Sequence, residues 1–234
     1  MFMNKIAKCI TASFLCFILM STFTVRSYAY GKCDKVYRKG QDSNMRIALT
    51  FDDGPHPRYT KMILDILNEY EITATFFVIG KNIENYPESM KLISDAGCEI
   101  GNHTYTHARL DRLSQEQIED EISRCETLIV SVTGKHSKVI RPPHGFISDE
   151  LIAVSQKMDY DTVLWSIDTE DWALTPSIDI YKSVLGNINS GDIILMHDYV
   201  SGGNTTCGAL RKIIPELLDR GYEFVTVSEL LNCE

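Results

Sequence analysis

Residues 46–55, RIALTFDDGP, carry an apolar run from Ile47 to Phe51 into two adjacent carboxylates, a glycine and a proline. The run is short, almost unbroken in apolar character and closed by turn formers. That is the pattern of a strand buried on both faces whose far end opens into a loop. It recurs at Ala74–Ile79, Cys98–Ile100, Val139–Ile140, Thr162–Ile167, Ile193–Met196 and Phe224–Val227, which makes seven candidate strands. Helical patterns lie between them: Met62, Ile63, Ile66, Leu67 and Tyr70 share one face, as do Ile118, Ile122, Cys125 and Ile129. Ser114 with Gln117 spells a capping box. Thr175 and Pro176 read as N-cap and first residue of a helix through Ile180, Tyr181, Val184, Leu185 and Ile188. A last long helix runs through Ile213, Ile214, Leu217 and Leu218 around Pro215. Strands of this kind alternating with amphipathic helices predict an α/β fold of parallel strands covered by helices, as an open doubly wound sheet or a closed barrel. The alternation is uninterrupted, so a single domain is expected over 45–234, preceded by a polar lead-in at 30–44.

The 234 residues are 44% apolar and 24% charged, enough for one substantial core and incompatible with a disordered or fibrous chain. A net charge of −9 with no basic cluster excludes a nucleic-acid binder. At the N-terminus, Lys5 and Lys8 precede an uncharged stretch from Cys9 to Val25, then Arg26 and a small-residue site at Ser27–Tyr28–Ala29. This reads as a signal peptide, 1–29, cleaved after Ala29. The competing reading, an uncleaved membrane anchor, requires about 20 apolar residues, more than this stretch offers. Cleavage would remove three cations and no acids, taking the net charge from −9 to −12, so a strongly acidic exported protein without stable membrane insertion is expected. Of the remaining Cys33, Cys98, Cys125, Cys207 and Cys233, an odd set, Cys98 and Cys125 read as small buried apolar residues, and no Cys/His spacing marks a thiolate metal site.

Polar clusters gather immediately after the apolar runs, at the carboxyl ends of strands where parallel α/β folds place their chemistry. Asp52 and Asp53 stand first. Neighbouring carboxylates repel and point in different directions along a strand, so one is free to face a metal and the other a reacting water; a solvated turn is the plainer alternative. His103 and His107 share the i, i+4 spacing of one face of a helical turn, which lets two imidazoles reach one ion. With a carboxylate from another strand they make a two-His, one-Asp site, for which zinc is the default divalent ion and cobalt, manganese or nickel are alternatives. Arg141 follows a strand and precedes a proline-stiffened turn with His144; three acids, among them Asp171, precede Trp172; Leu195 and His197 close the next strand. His56 and His136 read as surface residues.

In order, TFDDG at 50–54, HTYTH at 103–107, RPPHG at 141–145, DTEDW at 168–172 and LMH at 195–197 resemble the five motifs of the polysaccharide deacetylase family, also called the NodB-homology or carbohydrate esterase 4 family. The likeness spans about Arg38 to Leu231 and is strongest to the short members of spore-forming and other Gram-positive bacteria. It implies a distorted (β/α)7-type barrel. It further implies that Asp53, His103 and His107 bind the metal, that Asp52 is the general base tethered by Arg141, and that His197 is the general acid oriented by Asp171. The backbone N–H of His144 would hold the oxyanion, with Trp172 and Leu195 lining an acetyl pocket. His144 stands where many members have tyrosine. The implied activity is release of acetate from the N-acetyl groups of an extracellular amino-sugar polymer, with peptidoglycan, as N-acetylglucosamine or N-acetylmuramic acid, the expected substrate of a secreted or wall-associated monomer. Chitin-like oligosaccharides, O-acetyl esters and small amides are the alternatives, and a non-catalytic wall-binding protein is the alternative of another class.

Overall fold

In the computed structural model, residues 36–40, 44–201 and 203–231 are described, so the expected signal peptide, Cys33 and Cys233 lie outside the described residues. The strands are β1 (Val36–Tyr37), β2 (Arg46–Gly54), β3 (Thr75–Val78), β4 (Glu99–Asn102), β5 (Val139–Ile140), β6 (Asp161–Val163), β7 (Ile167–Asp168), β8 (Ile193–His197) and β9 (Glu223–Phe224). They form one parallel sheet in the order β1-β6-β5-β4-β3-β2-β8-β7, with β9 alongside the start of β2. The helices are α1 (Tyr59–Glu69), α2 (Gly80–Asn85), α3 (Pro87–Asp95), α4 (Gln115–Thr133), α5 (Asp149–Lys157), α6 (Ser177–Asn187), α7 (Thr206–Asp219) and α8 (Val227–Leu231). Among the described residues no helix is long and apolar enough to cross a membrane.

The expected distorted barrel of parallel strands is present as a curled half-barrel, but among the described residues its sheet has nine strands rather than seven, for two local reasons. The run Thr162–Ile167 is not one strand: the Leu164 amide bonds to Tyr37 of β1, whereas the Ser166 amide bonds to Ile193 of β8. Trp165 therefore spans the gap between the two ends of the sheet, and β6 and β7 fall on opposite sides of it. Secondly, the polar lead-in supplies β1, which pairs with β6 in parallel and is followed by a bridge between Lys39 and Asp192. The last predicted strand is also shorter than its apolar run, because Val227 already belongs to α8.

Alternation along β2 decides what sits where. Ile47, Leu49 and Phe51 pack outward with Ile63, Ile66 and Leu67 of α1 and Ile213, Ile214 and Leu217 of α7 in the main core. Ala48 faces the interior, where Phe77, Val139, Val163 and Ile193 meet Val227 and Leu230 of α8 in a second cluster. Both faces of the sheet are thus buried, as the unbroken apolar runs require. Cys98, Cys125 and Cys207 are buried free thiols. Met62, expected on the buried face of α1, is 37% exposed. Helix α6 starts at Ser177, later than expected, because Thr175 turns its hydroxyl to the Glu170 carbonyl rather than to the helix N-terminus. Pro215 sits inside α7 without ending it.

The capping box of α4 is formed: the Gln117 amide donates to Ser114 Oγ, and the Ser114 amide donates to Gln117 Oε1 at 3.0 Å. Ser114→Ala should therefore cost about 1 kcal/mol, seen in thermal unfolding as a Tm lower by about 2–4 °C.

Candidate active site

The carboxyl ends of the strands surround a cavity of about 410 Å³ lined by Asp52, Asp53, His107, His144, Trp165, Asp168, Trp172, Leu195 and His197. Asp52 and Asp53 do not diverge as neighbours in a regular strand would. The β2–β3 register shifts between Asp52 and Gly54, and Asp53 takes the left-handed conformation at φ 73°. This bulge turns both carboxylates toward one cavity. Gly54, next in line, lies against Asp198: a Cβ at Gly54 would fall 2.1 Å from Asp198 Oδ2. Asp198 is fully buried, accepts a 2.5 Å hydrogen bond from Thr60 Oγ1, and is pushed up to about pKa 7 by that burial.

The HTYTH segment is not the helical turn its spacing suggests. Thr104 and His107 both have positive φ, 67° and 61°, which breaks any helical path. The loop is held instead by side chains. Asn102 Oδ1 accepts from the Thr104 amide, Thr104 Oγ1 accepts from the His107 amide, and Glu121 accepts from both the amide and the hydroxyl of Thr106. His103 Nδ1 lies 2.7 Å from the Arg141 carbonyl and must donate to it, so Nε2 faces the site. His103 Nε2 and His107 Nε2 lie 3.5 Å and 3.2 Å from Asp53 Oδ1.

These three groups fit a metal ion. Their donor atoms lie within 4.8 Å of one another, and Asp53 Oδ1 is a buried acceptor without a hydrogen-bond partner. Protonation also suits it. Burial opposes charge on Asp53, but pairing with His103 and the nearby imidazoles hold its pKa at about 2. Burial and the charge of His103 push His107 down to about 4, leaving a free lone pair at neutral pH. His103 is raised despite burial by the charges of Asp52 and Asp53, the mark of a site short of positive charge.

Behind this triad, Arg141 is fully buried. Its Nη1 donates to Asp52 Oδ1 and to Thr50 Oγ1, each at 2.7 Å, and its Nε and Nη2 donate to the Val163 and Leu164 carbonyls. Asp52 Oδ2, the other carboxylate oxygen, lies 3.8 Å from His103 Nε2. Across the cavity, His197 Nδ1 is 2.7 Å from Asp171 Oδ1, while Asp171 Oδ2 accepts from the His197 amide and from Thr206 Oγ1. Burial alone would depress His197; the hydrogen bond and charge of Asp171 outweigh it and hold the pKa at about 9. His144 sits in a short turn at φ 61°, its ring 4.9 Å edge-on from that of His107. Leu195 and the exposed Trp172 form the apolar wall.

All ten residues singled out in the sequence thus converge. Trp165 and Asp168 line the cavity and Asp198 supports it, roles that sequence reading did not assign. Asp168 opens the quoted DTEDW motif, and Trp165 and Asp198 stand beside quoted motifs, which is the signal the sequence offered. His56, expected at the surface, is half-buried, stacked between Tyr59 and Tyr199, and its Nδ1 accepts from the Arg58 and Tyr59 amides. His136 is exposed.

A family model described as polysaccharide deacetylase matches residues 39–163. A Bacillus cereus protein named peptidoglycan-N-acetylglucosamine deacetylase is 43% identical over 188 residues, covering 80% of this chain and 88% of its own. The peptidoglycan-N-acetylmuramic acid deacetylase PdaC of Bacillus subtilis is 40% identical over 81% of this chain, a match to 39% of that longer protein. The crystal structure of the peptidoglycan N-acetylglucosamine deacetylase Bc1960 superposes with a TM-score of 0.81 at 36% identity, covering 85% of this chain and 93% of that one.

Replacing a metal donor should abolish the site, since three ligands cannot spare one. Asp53→Ala, His103→Ala and His107→Ala should each weaken zinc binding by about 10²-fold or more in calorimetric titration. His144→Ala should stay within a few-fold of the unaltered protein, and full zinc affinity in any of the first three would remove that residue from the ligand set.

Proposed function

Because the chain belongs to the polysaccharide deacetylase family, we propose that it is a metal-dependent hydrolase that removes N-acetyl groups from the amino sugars of peptidoglycan. The observation that carries this reading is the convergence on one cavity of three kinds of group: a metal-donor triad, a buried carboxylate tethered by arginine, and an imidazole held against a buried carboxylate. A site that only bound glycan would need neither the first nor the last.

An N-acetyl amide is a poor electrophile, so its hydrolysis needs an activated water, stabilisation of the carbonyl oxygen and a proton for the amine. Asp53, His103 and His107 would hold a divalent cation, zinc by the preference of two imidazoles and a carboxylate, and such an ion would supply Lewis acidity to the carbonyl and to the water. Asp52 takes the proton of the attacking water. Its tether to Arg141 through Oδ1 leaves Oδ2 for that transfer. The backbone N–H of His144 donates to the oxyanion, and Trp172 with Leu195 receives the acetyl methyl. His197, charged below about pH 9 through its bond to Asp171, delivers a proton to the departing amine from Nε2, the nitrogen Asp171 leaves free. Acetate and a free amino sugar result. The expected export signal at 1–29 would bring the enzyme to this polymer. Acetate release from purified peptidoglycan, with bound metal measured on the same sample, tests the reading; metal-loaded protein that releases none overturns it.

Asp52→Asn should keep the metal and lose turnover by about 10²-fold or more, the scale of a general base. Near-normal acetate release from this variant would assign the base elsewhere. The pH profile of kcat/KM should fall on its alkaline side as His197 loses its proton near pH 9. Since the Asp171 carboxylate favours the charged imidazole, Asp171→Asn should move that limb to lower pH. An unmoved limb would show that another group is the acid.

A further inference from the structure

One aromatic side chain beside the cavity-lining His144 is held in a way that packing does not require. Phe146 follows the RPPHG turn and is 44% exposed. One of its faces is covered by the guanidinium of Arg109, 3.7 Å from the ring centroid. Arg109 in turn is fixed by two hydrogen bonds of 2.7 Å from Nε and Nη2 to Asp111. The chain Asp111–Arg109–Phe146 thus clamps an exposed aromatic ring at the surface, although such a ring contributes little to the core. The ring is also continuous with the site: its centroid is 6.2 Å from that of His144, whose ring is 4.9 Å from that of the metal-donor candidate His107.

We propose that Phe146, backed by Arg109, is a stacking platform for the pyranose ring adjoining the one that is deacetylated, so that the enzyme grips its glycan across at least two sugars. This rests on the deacetylase reading and adds to it a second subsite. The occupant follows from the chemistry. A flat aromatic face with no polar tip suits the C–H face of a sugar ring. The guanidinium against it is already paired with Asp111, so the platform does not single out a carboxylate or a phosphate. Its distance from His107, with one ring intervening, places the occupant next to the reactive sugar rather than on it. Because the ring is immobilised before binding, little side-chain freedom remains to be lost when the sugar docks.

The test compares kcat/KM on the N-acetylglucosamine tetramer with kcat/KM on 4-nitrophenyl acetate, which is too small to reach beyond the acetyl pocket. Phe146→Ala should lower the ratio of tetramer to ester by about 3- to 10-fold, the range of one aromatic stacking contact, with the loss in KM rather than kcat. Phe146→Leu, which keeps bulk and guards against a folding defect in the alanine variant, should lower it similarly, and Phe146→Tyr should restore it. An unchanged ratio in both the alanine and leucine variants overturns the platform, as does an equal loss on tetramer and ester, which would place Phe146 in the shape of the acetyl pocket. If the unaltered enzyme cleaves the ester but deacetylates neither tetramer nor peptidoglycan, the deacetylase reading falls first and the platform with it.

Discussion

The buried guanidinium of Arg141 organises the site. Arg141 has no exposed surface, and its guanidinium is satisfied entirely from within, by Asp52 and Thr50 of β2 and by the carbonyls of Val163 and Leu164. Those two carbonyls lie where the chain leaves β6 and crosses toward β7, so the side chain occupies the point at which the sheet fails to close. Its backbone does equal service: the amide bonds to Asn102 at the end of β4, and the carbonyl takes the Nδ1 proton of His103. A charge so placed is costly to desolvate, and removing one partner of such a pair costs about 3–5 kcal/mol because the other is left buried and alone. The shape of the half-barrel, the direction of Asp52 and the tautomer of His103 are therefore one problem with one solution.

The backbone around the cavity is unusual in the same places as the chemistry. Asp53, Thr104, His107, His144 and Glu170 all have positive φ without being glycine. For threonine, branched at Cβ, this is a strained conformation, and strain of this kind persists where surrounding contacts over-determine it. Here the contacts are visible: Asn102 and Glu121 clamp the loop of the two histidines, Asn82 Nδ2 holds the Asp53 carbonyl, and Asp198 fills the space a side chain at Gly54 would need. These five residues fall in four segments at the carboxyl ends of β2, β4, β5 and β7, where the left-handed conformation redirects the chain and helps aim functional atoms at one volume.

Environment then divides the labour among like groups. His107 is driven neutral and His197 is held charged, although both are imidazoles at the same cavity, because burial and then the charge of His103 depress the one, while at the other burial is outweighed by the hydrogen bond and charge of the wholly buried Asp171. Pushing the pKa values of paired groups apart in this way is what assigns donors and acceptors in a hydrolytic site.

The sequence by itself determined the alternation of strand and helix, the buried face of α4 and most of those of α1 and α7, the capping box of α4, and the placing of every polar cluster at a strand end, because each is written in local periodicity. The five motifs, taken together, also named the family. What only the tertiary structure decided are the features that break periodicity. Asp52 and Asp53 share a cavity because a bulge interrupts their alternation, and that bulge depends on the fit of Gly54 against Asp198. The two histidines converge from a loop rather than a helix, since Asn102 and Glu121 outcompete helical hydrogen bonding. The apolar run Thr162–Ile167 divides, and the lead-in becomes a strand, because closing the curl of the sheet requires partners on both sides of Trp165. Such features are set by which groups meet across the fold, and a one-dimensional pattern records the faces of an element but not the contacts that redirect it.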